Sequence, residues 1–356
     1  MIEKNKEAQH IPAATAFPFG GGKPTSGLRI VFMGTPEFAV ASLDRLVQSG
    51  YNIVGVITAP DKPGGRGMEM QQSAVKEYAL AQNLHVLQPE KLKNPVFIEQ
   101  LRSLHADLQV VVAFRMLPEV VWNMPPKGTI NVHGSLLPQY RGAAPINWAI
   151  INGEKFTGVT TFKLRHEIDT GDILLQESFA INEEDDAGQV HDTMKEIGAG
   201  LLIRTIRAME NNELKELPQE EGAVISKHKA ADTHSSLLHA PKIFTETCLI
   251  NWNNTTGDIY NLIRGLSPSP AAFTSLQHKK LKIFKAQKII TAPTVAPGEF
   301  ETDQKTYLRF ASIDGFIGII ELQMEGKKKM GINDFLRGYR FDDLKEAGPQ
   351  EGRKLT

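Results

Sequence analysis

The segment Ile130-Asn131-Val132-His133-Gly134-Ser135-Leu136-Leu137-Pro138 sets two polar side chains two residues apart within an apolar run. Side chains alternate faces along a strand, so Asn131 and His133 share one face while Ile130 and Val132 take the other. A polar pair on one face of a buried strand is costly unless it is hydrogen-bonded or put to use. An imidazole can carry a proton, and a carboxamide can donate to a developing oxyanion. A lone histidine would read as a satisfied core residue; Asn-x-His followed by Gly-Ser and a rigid Leu-Leu-Pro reads as a site. Downstream, Asp169-Thr170-Gly171-Asp172 has the composition of a tight turn. Its carboxylates become chemistry if one meets the histidine, because an aspartate can orient and charge a neighbouring imidazole. That pairing is a matter of tertiary structure.

The elements that must hold these residues alternate. Leu28 to Met33 is a short apolar strand, with Pro36 suited to the first turn of the helix that runs to about Gln48. Tyr51 to Thr58 reads as a strand, Ser73 to Gln82 as a helix, His85 to Leu87 as a strand and Asn94 to Leu104 as a helix. Asp107 to Phe114 is almost continuously apolar, as in a strand buried on both faces, and Gly128 to His133 follows. This alternation predicts a Rossmann-like, doubly wound, mostly parallel α/β sheet, with Asn131 and His133 at the carboxyl end where such sheets bind ligands. Val159 to Leu164 and Ile173 to Ile181 read as two further strands, and Gly188 to Met209 as a long amphipathic helix. Short β patterns at 281–284, 306–310 and 318–322, with a helix at 259–264, predict a smaller β-barrel, OB-like, in the C-terminal part.

The expected division is a disordered arm over 1–27, a catalytic domain over 28–210, a linker over 211–236, a β-barrel over 237–345 and a tail over 346–356. The length suits two domains, and 41% hydrophobic with 23% charged residues suits a folded globular chain. The single cysteine, Cys248, makes neither an internal disulfide nor a cysteine-based metal cage. No apolar run is long enough to span a bilayer, so no membrane partner is expected; no metal-ligand cluster is visible, so no metal is expected, and the chain is read as cytoplasmic. Net charge is −1, yet residues 240–340 hold 14 Lys and Arg against 9 Asp and Glu, the local basic excess that a phosphate-contacting surface needs. A solvated lysine-rich face would give the same composition.

The run from Asn131 to Pro145, NVHGSLLPQYRGAAP, together with Ile168 to Asp172, closely resembles the folate-dependent formyltransferases over residues 28–209. The resemblance implies that Asn131, His133 and Asp169 form the catalytic set. It implies that Ser135, Leu136, Leu137 and Pro138 lie beside the folate, and that the backbone around Phe114, Arg115, Met116, Leu117 and Pro118 holds the pterin. Phe114-Arg115 stands where many relatives have Tyr-Gly. The turn Met33 to Ala39 and the loop Ala59 to Gly67 are similar to the branch that acts on methionyl initiator tRNA, which implies that Lys62 and Arg66 reach the acceptor end. By itself, that loop would read as a glycine-rich surface turn. Ile250-Asn251-Trp252, Ile263 to Pro268 and Gly326 to Met330 resemble that branch's tRNA-binding domain, with Lys327, Lys328 and Lys329 as phosphate contacts.

The implied reaction is attack of a neutral amine on the formyl carbon of 10-formyltetrahydrofolate by a monomeric enzyme. An α-amino group titrates near ~7.7–8.0, so a neutral fraction exists without a strong base. His133 and Asn131 would donate to the tetrahedral oxyanion, while Asp169 orients His133 or relays the proton. Other acceptors remain open: glycinamide ribonucleotide, an amino sugar, or water in a formyltetrahydrofolate hydrolase. A non-enzymatic nucleic-acid adaptor is the fourth reading, although Gly34 lacks the G-x-G-x-x-G partners that cradle a dinucleotide.

Overall fold

A computed structural model describes residues 27–64, 69–219 and 237–341. The expected arm apart from Gly27, Arg66, most of the expected linker and the tail 346–356 lie outside the described residues.

The chain begins with β1 (Arg29–Gly34), α1 (Glu37–Gln48) and β2 (Asn52–Ile57), then a small antiparallel pair, β3 (Lys62–Gly64) and β4 (Glu69–Gln71). Next come α2 (Ala74–Ala81), β5 (Val86–Leu87), α3 (Pro95–Ser103), β6 (Leu108–Val112), α4 (Glu119–Trp122) and β7 (Thr129–His133). β8 (Arg141–Gly142), α5 (Pro145–Ile151), β9 (Phe156–Lys163), β10 (Ile173–Ala180) and α6 (Ala187–Glu210) complete the first domain. Local sequence sets these boundaries. Ser73 and Asn94 cap α2 and α3 through their side chains, Pro95 occupies the first turn of α3, and Asp186 with Gln189 forms a capping box on α6.

The main sheet has the order β10-β9-β7-β6-β1-β2-β5. β7, β6, β1, β2 and β5 are parallel, whereas β9 runs antiparallel to both β7 and β10. Ile30, Val31, Phe32 and Met33 are fully buried, as the continuous apolar run of a central strand requires. One face packs on α1, α2, α5 and α6, and the other on α3 and α4. From β1 the chain moves outward to β2 and β5 on one side, then returns to β6 on the other. That reversal opens a crevice at the carboxyl ends of β1, β6 and β7.

After the linker, β11 (His239–Ala240) pairs with β8 and so belongs to the first domain. The second domain contains α7 (Thr256–Leu266), β12 (Ala272–Leu276), β13 (Lys279–Ile289), β14 (Phe300–Thr302), β15 (Leu308–Ala311), β16 (Phe316–Met324) and β17 (Met330–Gly331). These strands form a curled antiparallel half-barrel, β12-β13-β16-β15-β14, with β17 on β16 and α7 against its concave core. Trp252 stacks on Phe310 at 4.9 Å in that core. The domains are joined through α5 and α7. Asn147 Nδ2 donates to the Gly265 carbonyl at 2.7 Å, and at Gly265 a Cβ would lie 2.6 Å from Ile151, so glycine permits the close approach.

Candidate active site

β7 ends at His133, and Gly134 then passes so close to α6 that a Cβ there would lie 2.8 Å from Met194 Sδ. His133 is buried, with Nε2 3.1 Å from the Tyr140 carbonyl oxygen. A carbonyl only accepts, which assigns a proton to Nε2. Nδ1 is the nitrogen turned towards Asp169, with Oδ2 3.9 Å away. This is beyond hydrogen-bond length, and a single bridging atom could contact both groups.

Asp169 adopts the left-handed conformation, φ 54°, and its Oδ2 accepts the Gly142 amide at 3.0 Å. Gly142 has φ 128°, and a Cβ there would come within 2.4 Å of the Ala240 carbonyl oxygen. Glycine is therefore required both for conformation and for clearance. Tyr140, which holds His133 through its carbonyl, donates its hydroxyl to Glu154 at 2.6 Å. Burial, then that hydrogen bond, pushes the phenol well above its ordinary pKa.

Asn131, His133 and Asp169 line one cleft of about 1190 Å³. The Asn131 carboxamide makes no hydrogen bond among the described residues and is open to the cleft. Phe114, Arg115, Met116, Leu117 and Val120 line the cleft, as does the start of α5. Backbone groups from Phe114 to Leu117 make no backbone hydrogen bonds among the described residues, leaving donors and acceptors for a ligand. Arg115 folds aside to donate to the carbonyls of Glu90, at 2.8 Å, and Pro89.

Ser135, Leu136, Leu137 and Pro138 are not among the residues lining the cleft. Ser135 donates to the Gln139 carbonyl at 2.7 Å, and Thr160 Oγ1 accepts the Leu137 amide at 3.0 Å. Leu137 packs on Phe162, whose ring meets His133 edge-on at 6.3 Å. This loop supports the imidazole from behind. Lys62, Lys327 and Lys328 are exposed and outside the cleft, and Arg66 lies outside the described residues. Lys329 is already engaged, paired with Glu321 at 2.6 Å and set 4.9 Å above the Phe284 ring. β13 adds Lys280, Lys282, Lys285 and Lys288 to the second domain. Lys280 and Lys282 alternate with buried Leu281 and Ile283, and register shifts break the period before Lys285 and Lys288.

Two family models match, "Formyl transferase" over residues 28–206 and "Formyl transferase, C-terminal domain" over 242–340. The chain belongs to the formyltransferase family. It is 55% identical over 322 residues to a protein of Phocaeicola vulgatus named methionyl-tRNA formyltransferase, covering 89% of this chain and 97% of the relative. A Bacteroides fragilis protein of the same name is 52% identical over 321 residues, covering 89% and 96%. Among solved structures, the N-formyltransferase of Helicobacter canadensis in complex with folinic acid and dTDP-3-aminofucose has a TM-score of 0.57 at 22% identity, covering 85% of this chain and 100% of that one. HypX of Aquifex aeolicus with tetrahydrofolic acid has a TM-score of 0.59 at 18% identity, covering 89% of this chain and 49% of that one. These structures share the fold. Among the described residues, no helix is long and apolar enough to cross a membrane.

Proposed function

We propose that this chain transfers the formyl group of 10-formyltetrahydrofolate to the α-amino group of methionyl initiator tRNA in translation initiation, acting as a cytoplasmic monomer. The observation that carries the reading is the convergence of Asn131, His133 and Asp169 on a cleft whose α5 wall is also the docking site of a second, lysine-bearing domain. Relatives above half identity over nearly their full length carry the matching name. The cleft suits a reduced folate. Its apolar wall can cover a flat ring, and the unpaired backbone groups of Phe114 to Leu117 match a ring edge of donors and acceptors.

In this mechanism the amine nitrogen attacks the formyl carbon, a carbon–nitrogen bond forms, and the formyl oxygen becomes an oxyanion. The free Asn131 carboxamide donates to that oxyanion, and because it is already fixed on a buried strand, little reorganisation is needed. The bond from the formyl carbon to folate N10 then breaks. The proton lost by the amine ends on N10, with the gap between His133 Nδ1 and Asp169 Oδ2 as its route, directly or through one water. Lys62 and Arg66 contact the acceptor end, while Lys327, Lys328 and Lys285 contact phosphates.

The deciding experiment supplies 10-formyltetrahydrofolate with charged initiator tRNA, glycinamide ribonucleotide, a nucleotide amino sugar or buffer, and follows release of tetrahydrofolate. Turnover with charged tRNA alone is the expected result. Turnover with a small amine or with buffer, and none with tRNA, would replace this reading.

A further inference from the structure

The segment after α6, which composition reads as linker, returns to the active site. Leu217 forms an antiparallel bridge with Ile173, and Gln219 is buried at 4% exposure. The Gln219 carboxamide uses both ends. Its oxygen accepts from Arg141 Nε at 2.9 Å and from Arg141 Nη2. Its nitrogen donates to the Asp169 carbonyl at 2.7 Å and to the Gly171 carbonyl at 2.8 Å. Two acceptor sites and two N–H groups are thereby all engaged.

The groups so joined are the two halves of the site. Arg141 precedes Gly142, whose amide meets the Asp169 carboxylate at 3.0 Å. Asp169 and Gly171 form the turn that aims that carboxylate. The turn is held in a conformation that a non-glycine residue adopts at a cost, φ 54° at Asp169, and such a conformation persists only where surroundings over-determine it. Gly171 lies against β9 so closely that a Cβ would meet the Lys163 carbonyl, so only glycine fits at this point of the turn.

We propose that Gln219 is a positioning residue for the formyl transfer, holding the Asp169 turn so that its carboxylate faces His133. It touches neither reactant. The catalytic part of this inference rests on the proposed function; the structural part does not.

Gln219→Glu is the discriminating variant. It keeps shape and the bond to Arg141, now as an ion pair, but loses both N–H groups and sets a carboxylate against two carbonyls. The Gly142 amide reports Asp169 directly, because it donates to Oδ2. The neighbouring Ala143 amide, bonded to the Ala240 carbonyl at 2.7 Å, is the control. In the full-length variant, Gly142 hydrogen exchange should accelerate about tenfold relative to Ala143. With the acceptor that the wild-type protein uses, kcat should fall by about 10²-fold, the scale of a 1 Å misplacement, with KM for both substrates held. In an Asp169→Ala background, Gln219→Glu should add no further loss of kcat. Unaltered Gly142 exchange, equal acceleration of both amides, or additive losses would overturn the proposal. A wild-type protein inactive on every acceptor would sink the proposed function, and the exchange measurement would still decide the positioning role.

Discussion

The Asp169 carboxylate accepts the Gly142 amide at 3.0 Å and stands 3.9 Å from His133 Nδ1, so one oxygen serves both the loop that carries Gly142 and the strand that ends in His133. Asparagine at this position keeps an acceptor for Gly142 and loses the charge opposite the imidazole. Asp169→Asn should therefore fold normally and lose on the order of 10²-fold or more in kcat, the range of acid–base contributions, with KM for tRNA unaltered. Steady-state kinetics with a melting curve checks this. A variant that melts early but has normal kcat per folded molecule would make Asp169 a turn residue only.

Asn131→Ala removes the carboxamide left open to the cleft. Loss of one oxyanion donor typically costs ~10²–10³ in rate, so kcat should fall by that factor while tetrahydrofolate still binds. His133→Ala should fall at least as far, and it also empties a buried site against Phe162. Turnover at saturating substrates is the measurement, and near-normal kcat in either variant contradicts the mechanism.

Gly142→Ala should fail for a different reason. A methyl group would press on the Ala240 carbonyl at 2.4 Å from a backbone conformation with φ 128°. A loss of about 2 kcal/mol or more is expected, with the β8–β11 pairing broken. Urea unfolding measures it, and an unchanged midpoint would refute the close approach.

Tyr78 and Tyr140 supply a pH dependence. Burial first, then the bonds to Asp44 and Glu154 respectively, raises both phenols. A raised folded pKa favours the neutral phenol, so this contribution is fully present below the unfolded value of about 10 and is lost as pH rises towards the folded one. Stability should therefore decline above pH about 10, and less steeply in Tyr140→Phe. Equal slopes for the two proteins would remove Tyr140 from the alkaline transition.

The three lysines after β16 should not behave alike. Lys327→Ala with Lys328→Ala should raise KM for charged tRNA and lower its salt slope by about 0.9 per lost contact, the value for duplex nucleic acid. Lys329→Ala should change both little, because its ammonium is already paired with Glu321. An unaltered slope in the double variant would return these lysines to ordinary solvated surface.

Local pattern was enough for much of this. The apolar runs of β1 and β6 required strands buried on both faces, and the period of two placed Asn131 and His133 on one face at a strand's carboxyl end. The helices expected from Ser73 and Asn94 start where those residues cap them, because capping is settled within one turn. The family motif supplied the catalytic candidates, and composition placed a basic β-rich region after them. Only tertiary structure decided what closes the site. Gly142 meets Asp169 across 27 residues and Gln219 reaches it across 50. Neither contact leaves a periodic signature, since each is a single bond whose loop-closure cost is met by packing elsewhere. For the same reason the segment around Leu217 and Gln219 looked like linker: a two-residue bridge and one buried carboxamide are invisible in composition. Packing likewise turned Leu137 onto Phe162 and left Arg115 folded against the carbonyls of Pro89 and Glu90, choices set by neighbours that are distant along the chain.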